Sequence, residues 1–206
     1  MSPLVRKLLL YGLFFAVLFL VFAGIDWHRD HERRVQVAAA FEQVRLAAQK
    51  DLPRKSPSQA FADEARRSGN AALQAEQSPR RRLEMAATSV LSYSIANTRI
   101  RPAVCSALGI DIQPFADAFA HENAAEIDKA RTLLAGGLYS EERIYEYAGE
   151  HLRDEVERET QDYAAERGLT PKAACAEFAR NAGEFASAMR VAKAMSEKYE
   201  VLLGTQ

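Results

Sequence analysis

The chain has 206 residues, 27 basic and 28 acidic side chains, a net charge of −1 and 48% hydrophobic residues. With that balance and no compact basic stripe carrying interleaved aromatics, nucleic-acid binding is disfavoured. Alanine occurs 37 times while proline and glycine number only 7 and 10, which points to an all-α chain with closely approaching helices.

The first predicted element is apolar throughout. Leu8 to Ile25 is a run of 18 residues without a charge. As a helix it covers about 27 Å, close to the ~30 Å hydrocarbon core of a bilayer. Arg6 and Lys7 precede it and Trp27 follows it, where snorkelling cations and interfacial aromatics collect. Residues 1–25 are therefore expected to be a short tail and a single-pass anchor in contact with membrane lipid. A secretory signal cleaved after Ala23 is the competing reading, but the run is long and lacks a polar stretch before that site. Basic residues do not decide orientation, with Arg6 and Lys7 before the run and Arg29, Arg33 and Arg34 after it. The short basic tail and the long region after the run favour a cytoplasmic N-terminus.

Residues 26–58 read as a helical stalk and a linker. Val37, Phe41, Val44 and Ala48 keep helical spacing, and Pro53 and Pro57 then interrupt it, with Ser58 as the expected cap of the next helix. Residues 59–206 form the expected helical domain. Its first stretch, 59–77, is polar and alanine-rich, with Ser68-Gly69-Asn70 as the expected break. Ser78-Pro79 is a cap-then-proline start for a helix over 79–99. Pro102 opens a short helix bearing Cys105 and ending at Gly109. Pro114 opens another, and a helix over about 122–135 closes at Gly136-Gly137.

Ser140 caps a long helix to Arg167, where Glu141 and Glu142 suit the helix dipole. Gly168 stops it, and Thr170-Pro171 starts a last helix expected to reach residue 203. Cys175, Phe178, Ala182, Phe185, Met189, Ala192, Ser196, Tyr199 and Leu203 alternate at three- and four-residue spacing, a heptad seam. The expected fold is thus an N-terminal transmembrane helix plus a soluble helical bundle built on a long C-terminal antiparallel hairpin. The seam serves the core of that bundle, with a homodimer through the last helix as the second reading.

Compartment and partners are less directly encoded. Arginine outnumbers lysine by 20 to 7, which together with the alanine content suggests a GC-rich bacterial genome. The lone cysteine pair, Cys105 and Cys175, is most simply a disulfide made in an oxidising compartment. Residues 1–107 carry 16 basic and 9 acidic groups and residues 108–206 carry 11 and 19, so the two halves have net charges of +7 and −8. A basic half near anionic lipid accounts for this, and an acidic partner-binding face is the alternative.

Candidate sites are few. His28 and His31 share a helical face beside Asp26 and Glu32, but polar residues at a membrane boundary end a span equally well, and no metal ligand set is assigned. His121 and His151 lack any metal-ligand or nucleophile spacing, no phosphate loop exists, and no cofactor is expected. Arg80, Arg81 and Arg82 crowd the first turn of a helix, where the dipole disfavours cations. They read as a solvated basic turn or as a site for an anionic lipid or partner. Tyr139, Tyr145 and Tyr147 cluster as aromatics of which not all three can face one core, with Tyr145 and Tyr147 the candidates for partner contact. The expectation is a non-enzymatic interaction domain tethered to the bacterial inner membrane, facing the periplasm and binding another envelope protein as scaffold, accessory subunit or chaperone. The alternative is a helical enzyme or a lipid- or metal-binding domain whose site leaves no linear motif.

Overall fold

The computed structural model describes residues 30–137 and 139–204. The expected anchor over residues 8–25 and His28 lie outside these residues. Among the described residues no helix is long and apolar enough to cross a membrane, and no strand occurs. The chain divides into Met1–Ala39, helical over 30–39, and Ala40–Gln206.

The second unit begins with α1 (residues 40–48) and a tight turn over Gln49–Asp51. Next come α2 (Pro57–Ala75) and α3 (Pro79–Ile95), a widened π turn (Ala96–Ile100), α4 (Arg101–Ala107), α5 (Gln113–Glu122) and α6 (Ala124–Leu134). The long α7 (Glu141–Glu166) precedes four short helices, α8 (Pro171–Arg180), α9 (Ala182–Ala188), α10 (Val191–Ala194) and α11 (Ser196–Leu203). The local start and stop signals are obeyed. Ser78, Ser140 and Thr170 each accept a hydrogen bond from the backbone N–H three residues on. Gly109, Gly136 and Gly168 take the positive φ that ends a helix at little steric cost.

α3 is the central element, packed against α6, α7 and α11. Val90, Leu91 and Ile95 on it are fully buried, as are Phe115, Phe119, Ile112 and Leu202 around it. Phe115 meets Phe178 edge-on at 5.1 Å, and Phe178 stacks on Phe185 at 4.2 Å. The cysteines join as expected. Cys105 on α4 and Cys175 on α8 are bridged, with Cα atoms 5.6 Å apart and both residues buried.

Three expectations give way. First, Ser68-Gly69-Asn70 does not break α2, which runs unbroken from an earlier start than expected, with Ser56 as cap and Pro57 first in the helix. Side chains of α7 hold it: Asp162 accepts from the Ser58 N–H at 2.7 Å, and Glu166 from the Gln59 amide at 2.7 Å. Second, the helix expected over 79–99 ends at Ile95, and a π turn joins it without a gap to the short helix that Pro102 opens as expected. Proline has no N–H to give to the preceding turn, and the chain widens there into the π turn and continues.

Third, the last helix is not continuous, so only α8 pairs with α7 as a hairpin. Of the heptad seam, Cys175 and Phe178 are buried and Ala182, Phe185, Met189 and Tyr199 pack partly buried against the core, while the off-seam Ala186, Val191 and Leu202 take the fully buried positions. Two distant side chains hold one of these breaks. The Tyr93 hydroxyl donates to the Met189 carbonyl at 3.0 Å, and Asn123 Oδ1 accepts from the Val191 N–H at 2.7 Å. Each engages a backbone group at the junction between α9 and α10. Tertiary partners therefore override a good local pattern.

Tyr93 carries a pH consequence. Burial pushes its phenol from the ordinary 10.0 up to about 12. The folded state holds that proton more tightly than the unfolded chain, so its stabilising effect is complete below the unfolded value and disappears as pH rises through about 12. Urea unfolding above pH 10 should show a falling midpoint that is blunted in Tyr93→Phe; equal pH slopes for both proteins would refute the assignment.

Candidate functional site

A groove with a cavity volume of about 640 Å³ opens between α2, α3, α11 and the loop after α6. Gly69 and Leu73 come from α2; Arg81, Met85, Thr88 and Ser89 come from α3; Tyr139 and Lys198 complete it with Glu76 and Glu84. Its floor and walls are mostly apolar, from Leu73, Met85 and the Tyr139 ring. Tyr139 is itself 54% exposed.

The charges on this lining are unequally satisfied. Glu76 accepts from the Ser78 N–H at 2.8 Å, and Glu84 is paired with Arg80 at 3.0 Å. The Thr88 and Ser89 hydroxyl protons are given to the Glu84 and Met85 carbonyls at 2.8 and 2.9 Å. The two cations differ. Lys198 is only 5% exposed, and among the described residues neither it nor Arg81 has an ion pair or a side-chain hydrogen bond. Burial holds the Lys198 ammonium below its ordinary value; Glu197 beside it pulls the other way and Arg66 adds to the lowering.

Gly69 is part of this arrangement. A Cβ built there would stand 3.5 Å from Lys198 Nζ, so the missing side chain leaves the space beside the ammonium open. The residue read in sequence as a helix break is better understood as that gap. Nothing in linear sequence marks Lys198, which sits among the ordinary surface residues of an amphipathic helix.

A buried cation is not inherently a site. Arg101 is 2% exposed, yet its guanidinium donates to Asn97 Oδ1 at 3.1 Å and to Glu159 Oε2 at 2.7 Å and lies over the Phe178 ring at 5.1 Å. It lines a smaller cavity of about 160 Å³, whose Asp162 and Glu166 are the carboxylates that hold α2. There the charge is compensated and the polar groups are used in packing. Lys198 has no such direct partner, and Glu197 beside it acts on it only through its charge.

The structure scatters the five residues singled out from sequence. Arg81 lines the groove. Arg80 is exposed and paired with Glu84, and Arg82 is half-buried with its Nε lacking a hydrogen-bond partner. Tyr145 lies partly exposed beneath the Arg99 guanidinium, 4.0 Å from its ring centre, while Tyr147 is buried and its hydroxyl receives a bond from Arg143 at 3.3 Å. Tyr139, from the same cluster, is the tyrosine that reaches the groove. His151 is not a free surface group: its ring stacks on Phe41 at 4.9 Å. His31 is exposed, and no group of three or more potential metal ligands is found among the described residues.

No family model matches the chain, and neither a curated protein nor a solved structure matches it.

Proposed function

We propose that this chain is a non-enzymatic interaction domain of a bacterial envelope, anchored in the inner membrane by residues 8–25, which docks a segment of another protein in the groove between α2, α3 and α11. The single observation that carries the docking reading is the groove's lining, apolar walls around two cations without partners while both carboxylates are already engaged. Docked proteins are recognised by an apolar centre with a few placed charges. The anchor rests on the uncharged 18-residue run in the sequence. The bridge between Cys105 and Cys175 supports a periplasmic domain, since such bonds persist in oxidising compartments. In that setting the domain acts as a scaffold, accessory subunit or chaperone of an envelope assembly.

The test is affinity capture of the full-length chain from gently solubilised native membranes, with groove variants alongside it. Arg81→Glu reverses a charge at the rim and Ser89→Trp fills a wall. A stoichiometric partner is expected to be retained by the natural chain and lost, by about tenfold, from both variants, as is usual when one central contact is removed. Retention indifferent to both substitutions would move the docking surface elsewhere.

A further inference from the structure

We propose that Lys198 is the carboxylate receptor of this groove, so that the docked segment is acidic and inserts a glutamate or aspartate side chain beside Gly69. The inference rests on the docking reading above and names the chemistry that the groove selects. The Lys198 residue is only 5% exposed, so its stem is packed away, while its ammonium reaches the groove and no acceptor among the described residues pairs with it. Buried charges are ordinarily paired, as Arg101 is here, because an unpaired one is costly. The Lys198 ammonium, without an ion pair and facing the groove, is thus open to an anion.

The groove's shape and charges narrow the ligand further. Glu76 and Glu84 have partners of their own and neither is paired with Lys198, and Arg81 at the rim adds a second positive group without a partner. The absent side chain at Gly69 leaves room at the ammonium, 3.5 Å from where a Cβ would stand. Leu73, Met85 and Tyr139 offer apolar contact on either side. The groove is half open rather than enclosed, which suits a side chain presented by a larger body more than a free small acid. A glutamate flanked by leucines meets each of these features: the carboxylate reaches Lys198, the neighbours lie on the apolar walls, and Arg81 closes from the rim.

The experiment is an NMR titration of the detergent-solubilised full chain with its disulfide intact. The probes are a blocked pentapeptide with a central glutamate flanked by leucines and its glutamine counterpart. The glutamate peptide is expected to shift the amides of Leu73, Met85 and Thr88 and the Lys198 side-chain ammonium, and to bind about tenfold or more tightly than the glutamine peptide, the usual advantage of a charge-assisted bond. Lys198→Met should bring the two peptides to the same affinity. The Tm of that variant, measured alongside, reports on its folding. Equal affinity of the two peptides for the natural chain, no saturation by the glutamate peptide at millimolar concentration, or an undiminished preference in a folded Lys198→Met protein overturns the carboxylate receptor. Any of these results leaves groove docking standing, since that reading fails only when capture is indifferent to Arg81→Glu and Ser89→Trp.

Discussion

Replacing Cys105 and Cys175 together by alanine is expected to cost the fold roughly 4 kcal/mol, a large fraction of the stability of a domain this size. The bridge closes a loop with a sequence separation of 70. In the chain-entropy account a loop of that length removes enough freedom from the unfolded ensemble to give roughly 4 kcal/mol, with native-state strain able to reduce the figure. The two attachment points make the effect more than entropic. Cys105 lies on α4, directly after the π turn, and Cys175 lies beside Phe178, which packs on Phe115 and Phe185. The bond thus ties the α3–α4 path to the stretch of chain where the C-terminal helices begin. Both cysteines are at most 1% exposed, so a reductant reaches them only through opening of the structure. Urea unfolding of the natural and double-alanine chains measures the loss, and reductant should shift only the natural one. A loss below about 1 kcal/mol, under the range usual for native disulfides, would mean that the unfolded chain is already restrained without the bond.

What the sequence disclosed, and what it withheld, divides by distance along the chain. Helix ends were legible because their causes are local: Ser78 and Pro79, Ser140, Thr170 and Pro171 act within one turn, and Gly109, Gly136 and Gly168 act through their own φ. The disulfide was legible because two cysteines permit one intramolecular pairing. The break in the last helix was not, since Tyr93 lies 96 residues from Met189 and Asn123 lies 68 from Val191. The same limit hid the groove. Gly69 is a plausible breaker by propensity, but the ammonium that gives it meaning comes from Lys198, far along the chain. Arg81 was found because an arginine cluster at a helix N-terminus runs against the dipole. Tyr145 and Tyr147 were noticed for crowding alone, a signal that says one ring must be displaced without saying which, and Tyr139 proved to be the one at the groove.

Asn123→Leu is expected to destabilise the protein by about 2–3 kcal/mol, beyond what its similar volume would suggest, because it strands buried backbone groups. Asn123 is fully buried at the junction between α5 and α6. Its Nδ2 donates to the Phe119 carbonyl at 2.8 Å, and its Oδ1 accepts from the Val191 N–H at 2.7 Å. Leucine fills the space and removes both partners. The Phe119 carbonyl still accepts from the Asn123 backbone N–H at 3.2 Å, so the main cost falls on the Val191 N–H. That donor has one escape: a straightened backbone between α9 and α10, giving the N–H an acceptor one turn earlier, which is the continuous helix that the heptad spacing favours. Straightening would have to pull Val191, fully buried, and the Met189 carbonyl away from the Tyr93 hydroxyl. It would also swing α11, and with it Lys198, off α3 and out of the groove. Chemical unfolding gives the loss, and amide exchange at Val191 tells the two responses apart: fast exchange means a stranded donor, slow exchange with altered groove amides means the straightened helix. A stability change under about 0.5 kcal/mol with Val191 still protected would show that the break is held by packing rather than by this hydrogen bond.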